Sequence, residues 1–148
     1  MMNFKILILI TSVLMFFSFS CTHNSKANKQ KKHYSNGTFN GESRSIYTSE
    51  SFYGKVTLVL RNDTIKSIEF LIRDSANHEN FDSNYEKHFT GNKLYVDQCK
   101  NDWKGVNCYP KYLIREQNIE NLDATTGATW SFNIFKSSVE EALNKALK

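Results

Sequence analysis

The chain is poor in the residues that punctuate a fold or carry obvious chemistry. It has one proline and six glycines in 148 residues, and no internal repeat or low-complexity tract divides it. Its three cysteines include no C-x-x-C dithiol, which excludes a thioredoxin-like activity. The four histidines nowhere fall at metal-ligand spacing, which argues against a structural zinc site. There is no catalytic-triad pattern, no substrate-pocket signature and no G-x-G-x-x-G nucleotide fingerprint. The formal charge of +4 is modest. Most of it falls in one basic stretch without interleaved aromatics, so nucleic acid is not the implied partner. What the chain has in plenty is aromatic side chains, 14% of its residues, which suit either a dense core or a planar ligand.

The opening reads as a targeting segment. Lys5 supplies a positive start, and Ile6 to Phe19 is an apolar run of signal-peptide length. That run falls short of the ~20 residues that cross a bilayer. It ends in Ser18-Phe19-Ser20-Cys21, which resembles the lipobox of bacterial lipoproteins, with Ser18 in place of the usual Leu. The resemblance implies a signal peptide over residues 1–20, acylation of Cys21 and an extracytoplasmic protein anchored in the cell envelope, where several acyl chains suffice to hold it. Residues 21–35 follow as a tether. Lys26, Lys29, Lys31 and Lys32 stand there with almost nothing apolar, so the stretch cannot bury enough surface to repay ordering.

Residues 36–148 have the length of one domain. A first strand is expected over Asn36–Ser43, where Gly41 marks a bulge, a close backbone approach or a plain edge strand. Val56, Leu58 and Leu60 alternate, Asn62-Asp63 is a turn signal, and Ile68, Phe70 and Ile72 alternate again, which predicts a β-hairpin with one buried face. A polar loop, Asp74 to Asn80, leaves the sheet. Asn84 to Cys99 reads as a helix interrupted at Gly91, Asn101 to Gly105 as a turn carrying Trp103, and Pro110 as the first turn of a helix running to about Gln117. Trp103 and Tyr109 could flank a planar ligand or fill the core. Cys99 and Cys108 could close a small loop as a disulfide, worth roughly 2–3 kcal/mol on the chain-entropy model. Phe132, Phe135, Val139, Ala142, Leu143 and Ala146 fall at helical spacing, so a C-terminal amphipathic helix is expected. The fold class is α+β: a small antiparallel sheet with helices packed on one face.

Directly before that helix stands Asp123-Ala124-Thr125-Thr126-Gly127-Ala128-Thr129. A helix starting near Thr129 would offer unpaired N–H groups and a favourable dipole to an anion. The bland reading is a Thr-rich loop that caps the helix. The pattern Asp-x-x-Ser/Thr-Gly-Ala-Ser/Thr resembles the flavinylation motif of the FMN-binding domain family, which includes covalent-flavin domains of the sodium-translocating NADH:quinone reductase and of the Rnf complex. Gly37-Thr38-Phe39-x-Gly41 is similar to that family's Gly-x-Tyr-x-Gly opening. His78-Glu79 resembles its His with Glu-Thr element near the flavin, with Asn80 where Thr is common. The resemblance implies covalent FMN on the hydroxyl of Thr129, installed from FAD by a flavin transferase. Asp123, Thr126, Gly127 and Ala128 take the other motif positions, and Glu79 and Trp103 stand as further flavin contacts. It also implies an electron carrier that meets redox partner proteins at the membrane, with no substrate of its own. Two alternatives stand beside it: a module holding flavin without a covalent bond, and a partner-binding lipoprotein with an unmodified motif.

Overall fold

Four antiparallel strands, β1 (Gly37–Glu42), β2 (Phe52–Arg61), β3 (Thr64–Asp74) and β4 (Glu79–Asn80), lie side by side in sequence order in the computed structural model. Two helices, α1 (Lys93–Glu116) and α2 (Thr129–Ala146), pack against them. The architecture is the α+β arrangement expected from the patterning. The structure describes residues 32–45 and 51–148, which belong to one compact unit beginning at Lys32. The signal peptide, Cys21 and the tether up to residue 31 lie outside the described residues.

The hairpin forms where alternation predicts it. Its two-residue turn has φ of 52° at Asn62 and 57° at Asp63, the double positive φ that matches strand twist and that Asn and Asp tolerate best after glycine. The Asp63 carboxylate accepts the N–H of Tyr34 at 2.7 Å and meets His33 Nδ1 at 2.8 Å. The register shifts between Val59 and Leu60, so Leu58 faces Ile68 while Leu60 faces Ile65. That bulge keeps Ile65 and Ile68 on the buried side despite their spacing of three. Thr38, Asn40, Lys55 and Glu69 stand exposed on the opposite side.

Close approach of backbones sets where α2 lies. A Cβ on Gly41 would stand 2.0 Å from the Ser138 carbonyl oxygen and 2.6 Å from the Ala142 nitrogen. A Cβ on Gly54 would stand 2.4 Å from Ser138 Oγ. Of the sequence alternatives for Gly41, close approach is the one realised. Phe135, Val139 and Ala142 then bury fully against Val56, Leu58 and Leu60. A second cluster joins Ile72, Phe81, Tyr85, Cys99, Val106 and Ile134, with Phe52, Trp103 and Trp130 half-buried at its margin. The far end of α2 is tied as well. Ser35 donates to the Ala146 carbonyl at 2.8 Å and Lys148 to that of His33 at 3.1 Å.

The region from Asn84 to Gln117 keeps the interruption expected at Gly91, which falls between two helical pieces, but otherwise differs from the sequence reading. Tyr85–Phe89 is a short 3-10 turn, and α1 then runs unbroken through both the expected turn at Asn101–Gly105 and Pro110. Burial of one stripe, Cys99, Asp102, Gly105, Val106, Tyr109 and Leu113, overrides the local turn preferences of Asn and Asp and the bond that Pro110 cannot donate. The expected end is correct. Gln117 caps α1 in the left-handed region with φ of 57°, and its side-chain amide pairs with the backbone of Ile65 at 2.8 and 3.0 Å. With both cysteines on one helix, nine residues apart, their Cα atoms stand about 13 Å apart at helical rise, beyond the ~7 Å limit for a disulfide. Both are free thiols, so the bridge that their spacing left open is not made.

Candidate functional site

Helix α2 begins at Thr129, the residue the motif singles out. The preceding turn closes through a bond from the Ala128 N–H to the Thr125 carbonyl at 2.9 Å. Gly127 sits third in that turn with φ of 76°, the sign a type II turn requires there. Ala128 is fully buried, whereas Asp123, Thr126, Gly127 and Thr129 are exposed. The cap residue Ala128 has no side-chain oxygen to close the first turn. Asp123 makes no hydrogen bond or ion pair among the described residues.

The turn is held from beneath by α1. The Tyr109 hydroxyl donates to the Ala128 carbonyl at 2.8 Å and accepts from the Thr125 N–H at 3.2 Å. Burial pushes its pKa up. Asp102, only 2% exposed, accepts the Ser131 N–H at 3.1 Å and the Ser131 hydroxyl at 2.8 Å through Oδ1. Its Oδ2 accepts the Gln98 amide at 2.6 Å, and the same amide nitrogen donates to the Gly127 carbonyl at 2.8 Å. Gln98, Asp102, Gly105 and Tyr109 are spaced four, three and four residues apart, so they share one face of α1. Gly105 gives the room: a Cβ there would stand 2.9 Å from Ser131 Oγ.

One expectation changes and one open alternative is decided. The helix start is not wholly open to an anion, because the Ser131 N–H is already spent on a buried carboxylate. The N–H groups of Thr129 and Trp130 remain without a partner among the described residues. Tyr109 is not a flank for a planar ligand. It is fully buried, stacked on Phe135 at 5.7 Å and set edge-on to Phe132 at 5.2 Å.

The remaining candidates lie around the second apolar cluster. Trp103 is half-buried against it. Trp130, next in the chain to Thr129, meets Phe52 at 5.2 Å and Phe81 at 5.3 Å. Glu79 lies two residues before Phe81 on β4, where it pairs with Lys87 Nζ at 2.7 Å and with His88. The bond from Lys87, then that from His88, holds its carboxyl below the ordinary range. His78, its sequence neighbour, instead lends its carbonyl to Arg73 at 2.7 Å. Trp103 and Trp130, the latter adjoining the motif loop in sequence, thus pack against the same apolar cluster. A surface cleft of about 600 Å³ lined by residues such as Asn84, Lys87 and Gly91 contains none of the motif residues. Sequence reasoning missed Gln98, Asp102 and Trp130. The signal for the first two was the helical spacing that runs from Gln98 to Tyr109 across an apparent turn.

The fold and this loop define a small α+β domain with an exposed threonine at the start of its last helix. No family model matches the chain, and no curated relative does. Among solved structures, it is similar to the crystal structure of the CPE2226 protein from Clostridium perfringens, at 21% identity and a TM-score of 0.54 over 77% of this chain and 89% of that one. At that identity the likeness concerns the fold.

Proposed function

We propose that Thr129 carries FMN through a phosphoester, and that the protein is an extracytoplasmic, lipid-anchored electron carrier without a substrate of its own. The observation that carries the reading is the exposure of Thr129 at the first position of α2, directly after a Thr-Gly-Ala turn anchored at both ends. The surroundings fit a phosphate there. Two N–H groups of the first helical turn have no partner among the described residues, and the dipole at a helix start favours a negative charge. Asp123 and Thr126, six and three residues before Thr129 in the chain, are exposed, where a transferase can reach them.

In the attachment, the Thr129 hydroxyl oxygen forms a bond to the FMN phosphorus of FAD. The phosphoanhydride bond breaks, and AMP leaves with the bridging oxygen and the proton of the hydroxyl. Asp123 would orient the hydroxyl or a magnesium-bound phosphate for this step. A bound flavin supplies electron transfer singly or in pairs, while the chain supplies attachment, orientation and shielding. Covalent linkage matters outside the cytoplasm, because a dissociated FMN is not replaced there.

Co-expression with a flavin transferase is expected to add the mass of FMN less water, to leave a fluorescent band on a denaturing gel and to map to Thr129. Thr129→Ala is expected to stay colourless. An adduct on another residue, or one that persists in Thr129→Ala, defeats the assignment.

A further inference from the structure

We propose that Gln98 and Asp102 are positioning residues for the Thr129 hydroxyl, an inference that rests on Thr129 being the site of attachment. An ordinary helix start would be capped by a Ser, Thr, Asp or Asn at position 128, whose side chain covers the N–H groups of the second or third residue. Here that position is Ala128, and the cap comes instead from α1 on the buried side. Of the N–H groups in the first helical turn, Asp102 reaches only that of Ser131. The N–H groups of Thr129 and Trp130 are thereby left for an incoming phosphate while the helix end stays closed from below.

Burying a carboxylate is costly unless its oxygens are fully bonded. Asp102 meets that condition with two bonds from Ser131 and one from Gln98. Gln98 then links the carboxylate to the turn, because its amide also holds the Gly127 carbonyl at 2.8 Å. Tyr109 holds the next carbonyl, that of Ala128. Thr129 therefore sits between two clamped carbonyls before it and a clamped N–H two residues after it. Its backbone has little freedom to turn. A hydroxyl on a backbone so held starts its attack on phosphorus from a fixed place, and displacement of a reacting group by about 1 Å can cost on the order of 100-fold in rate.

The test uses the purified apo-protein as acceptor for a flavin transferase at saturating FAD. Gln98→Met keeps the shape of an exposed side chain and removes both donated bonds. Asp102→Asn keeps an oxygen for Ser131 but sets an amide against the Gln98 amide, so Gln98 can no longer serve both partners. Each variant is expected to lower kcat of FMN incorporation about tenfold with KM for the acceptor changed by less than about twofold, on the misplacement scale above. The double variant is expected to fall no further than either single one, as members of one network do. Gln98→Met leaves one Asp102 oxygen without its donor, so Tm is expected to fall by a few degrees. Far-UV circular dichroism at the assay temperature is expected to match the wild type, so the loss of kcat is read on folded protein. Wild-type kcat in Gln98→Met, losses confined to KM, or losses that multiply in the double variant overturn the positioning role while leaving Thr129 as the acceptor. A wild-type protein that takes up no flavin removes both readings together.

Discussion

Gly41→Ala tests the packing that aims α2. The added Cβ would stand 2.0 Å from the Ser138 carbonyl oxygen and 2.6 Å from the Ala142 nitrogen, both backbone atoms of a helix that cannot yield singly. Relief requires α2 to rise off β1, pulling Val139 and Ala142 from their contacts. Overpacking typically costs 1–3 kcal/mol, and with backbone on both sides a loss of about 3 kcal/mol is expected. For a domain of this size that lowers Tm by roughly 10 °C. Gly54→Ala is the control. Its Cβ would meet Ser138 Oγ at 2.4 Å and Ile134 Cγ2 at 2.6 Å, side-chain atoms that can rotate away. The main expense is the bond from Ser138 Oγ to the Ile134 carbonyl, so a loss of about 1–2 kcal/mol is expected. Ser138→Ala removes the obstructing hydroxyl, and so should rescue Gly54→Ala but not Gly41→Ala. Urea unfolding followed by far-UV circular dichroism measures all of these. A loss below about 1 kcal/mol in Gly41→Ala, against the 1–3 expected for overpacking, refutes the close approach, as does its rescue by Ser138→Ala.

Stability should also fall at both extremes of pH through one buried pair. Burial acts to raise the Asp74 pKa, but bonds from the Tyr85 hydroxyl at 2.6 Å, the Ala76 N–H and the Asn77 amide outweigh it and hold the carboxyl below 3.8. Its contribution is present above that value and is lost as pH falls through the lower folded value. Burial and the bond to Asp74 push Tyr85 from 10.0 to about 12, so its contribution is full below pH 10 and is lost as pH rises toward 12. Tyr85→Phe removes the alkaline contribution and lets the folded Asp74 value rise back toward 3.8, so both limbs of a urea-midpoint profile should become shallower. An unchanged profile contradicts the pairing. For the cysteines, alkylation of the denatured protein without reductant should modify both Cys99 and Cys108. In the native protein Cys108 should react first, since Cys99 is 8% exposed and burial raises its thiol pKa. Detection of a bond between the two refutes the continuous α1.

Periodicity was enough for the elements whose buried faces are regular. The alternation about Asn62-Asp63 specified the hairpin, and the apolar spacing from Phe132 to Ala146 specified α2, because in each the side-chain period is the geometry. The motif likewise located the start of α2 at Thr129. Local preference misled between Asn84 and Gln117. Asn101, Asp102 and Pro110 are turn formers in isolation, and only the sheet and α2 supply the burial that keeps them helical.

By itself, then, the sequence determined that an exposed threonine would stand where a loop enters the last helix. Tertiary structure alone decided what holds it. Gln98 and Asp102 precede Thr129 by some thirty residues, and no short-range pattern relates them to it. They meet its turn because the small residues Gly41, Gly54 and Gly105 let α2 settle close to both the sheet and α1.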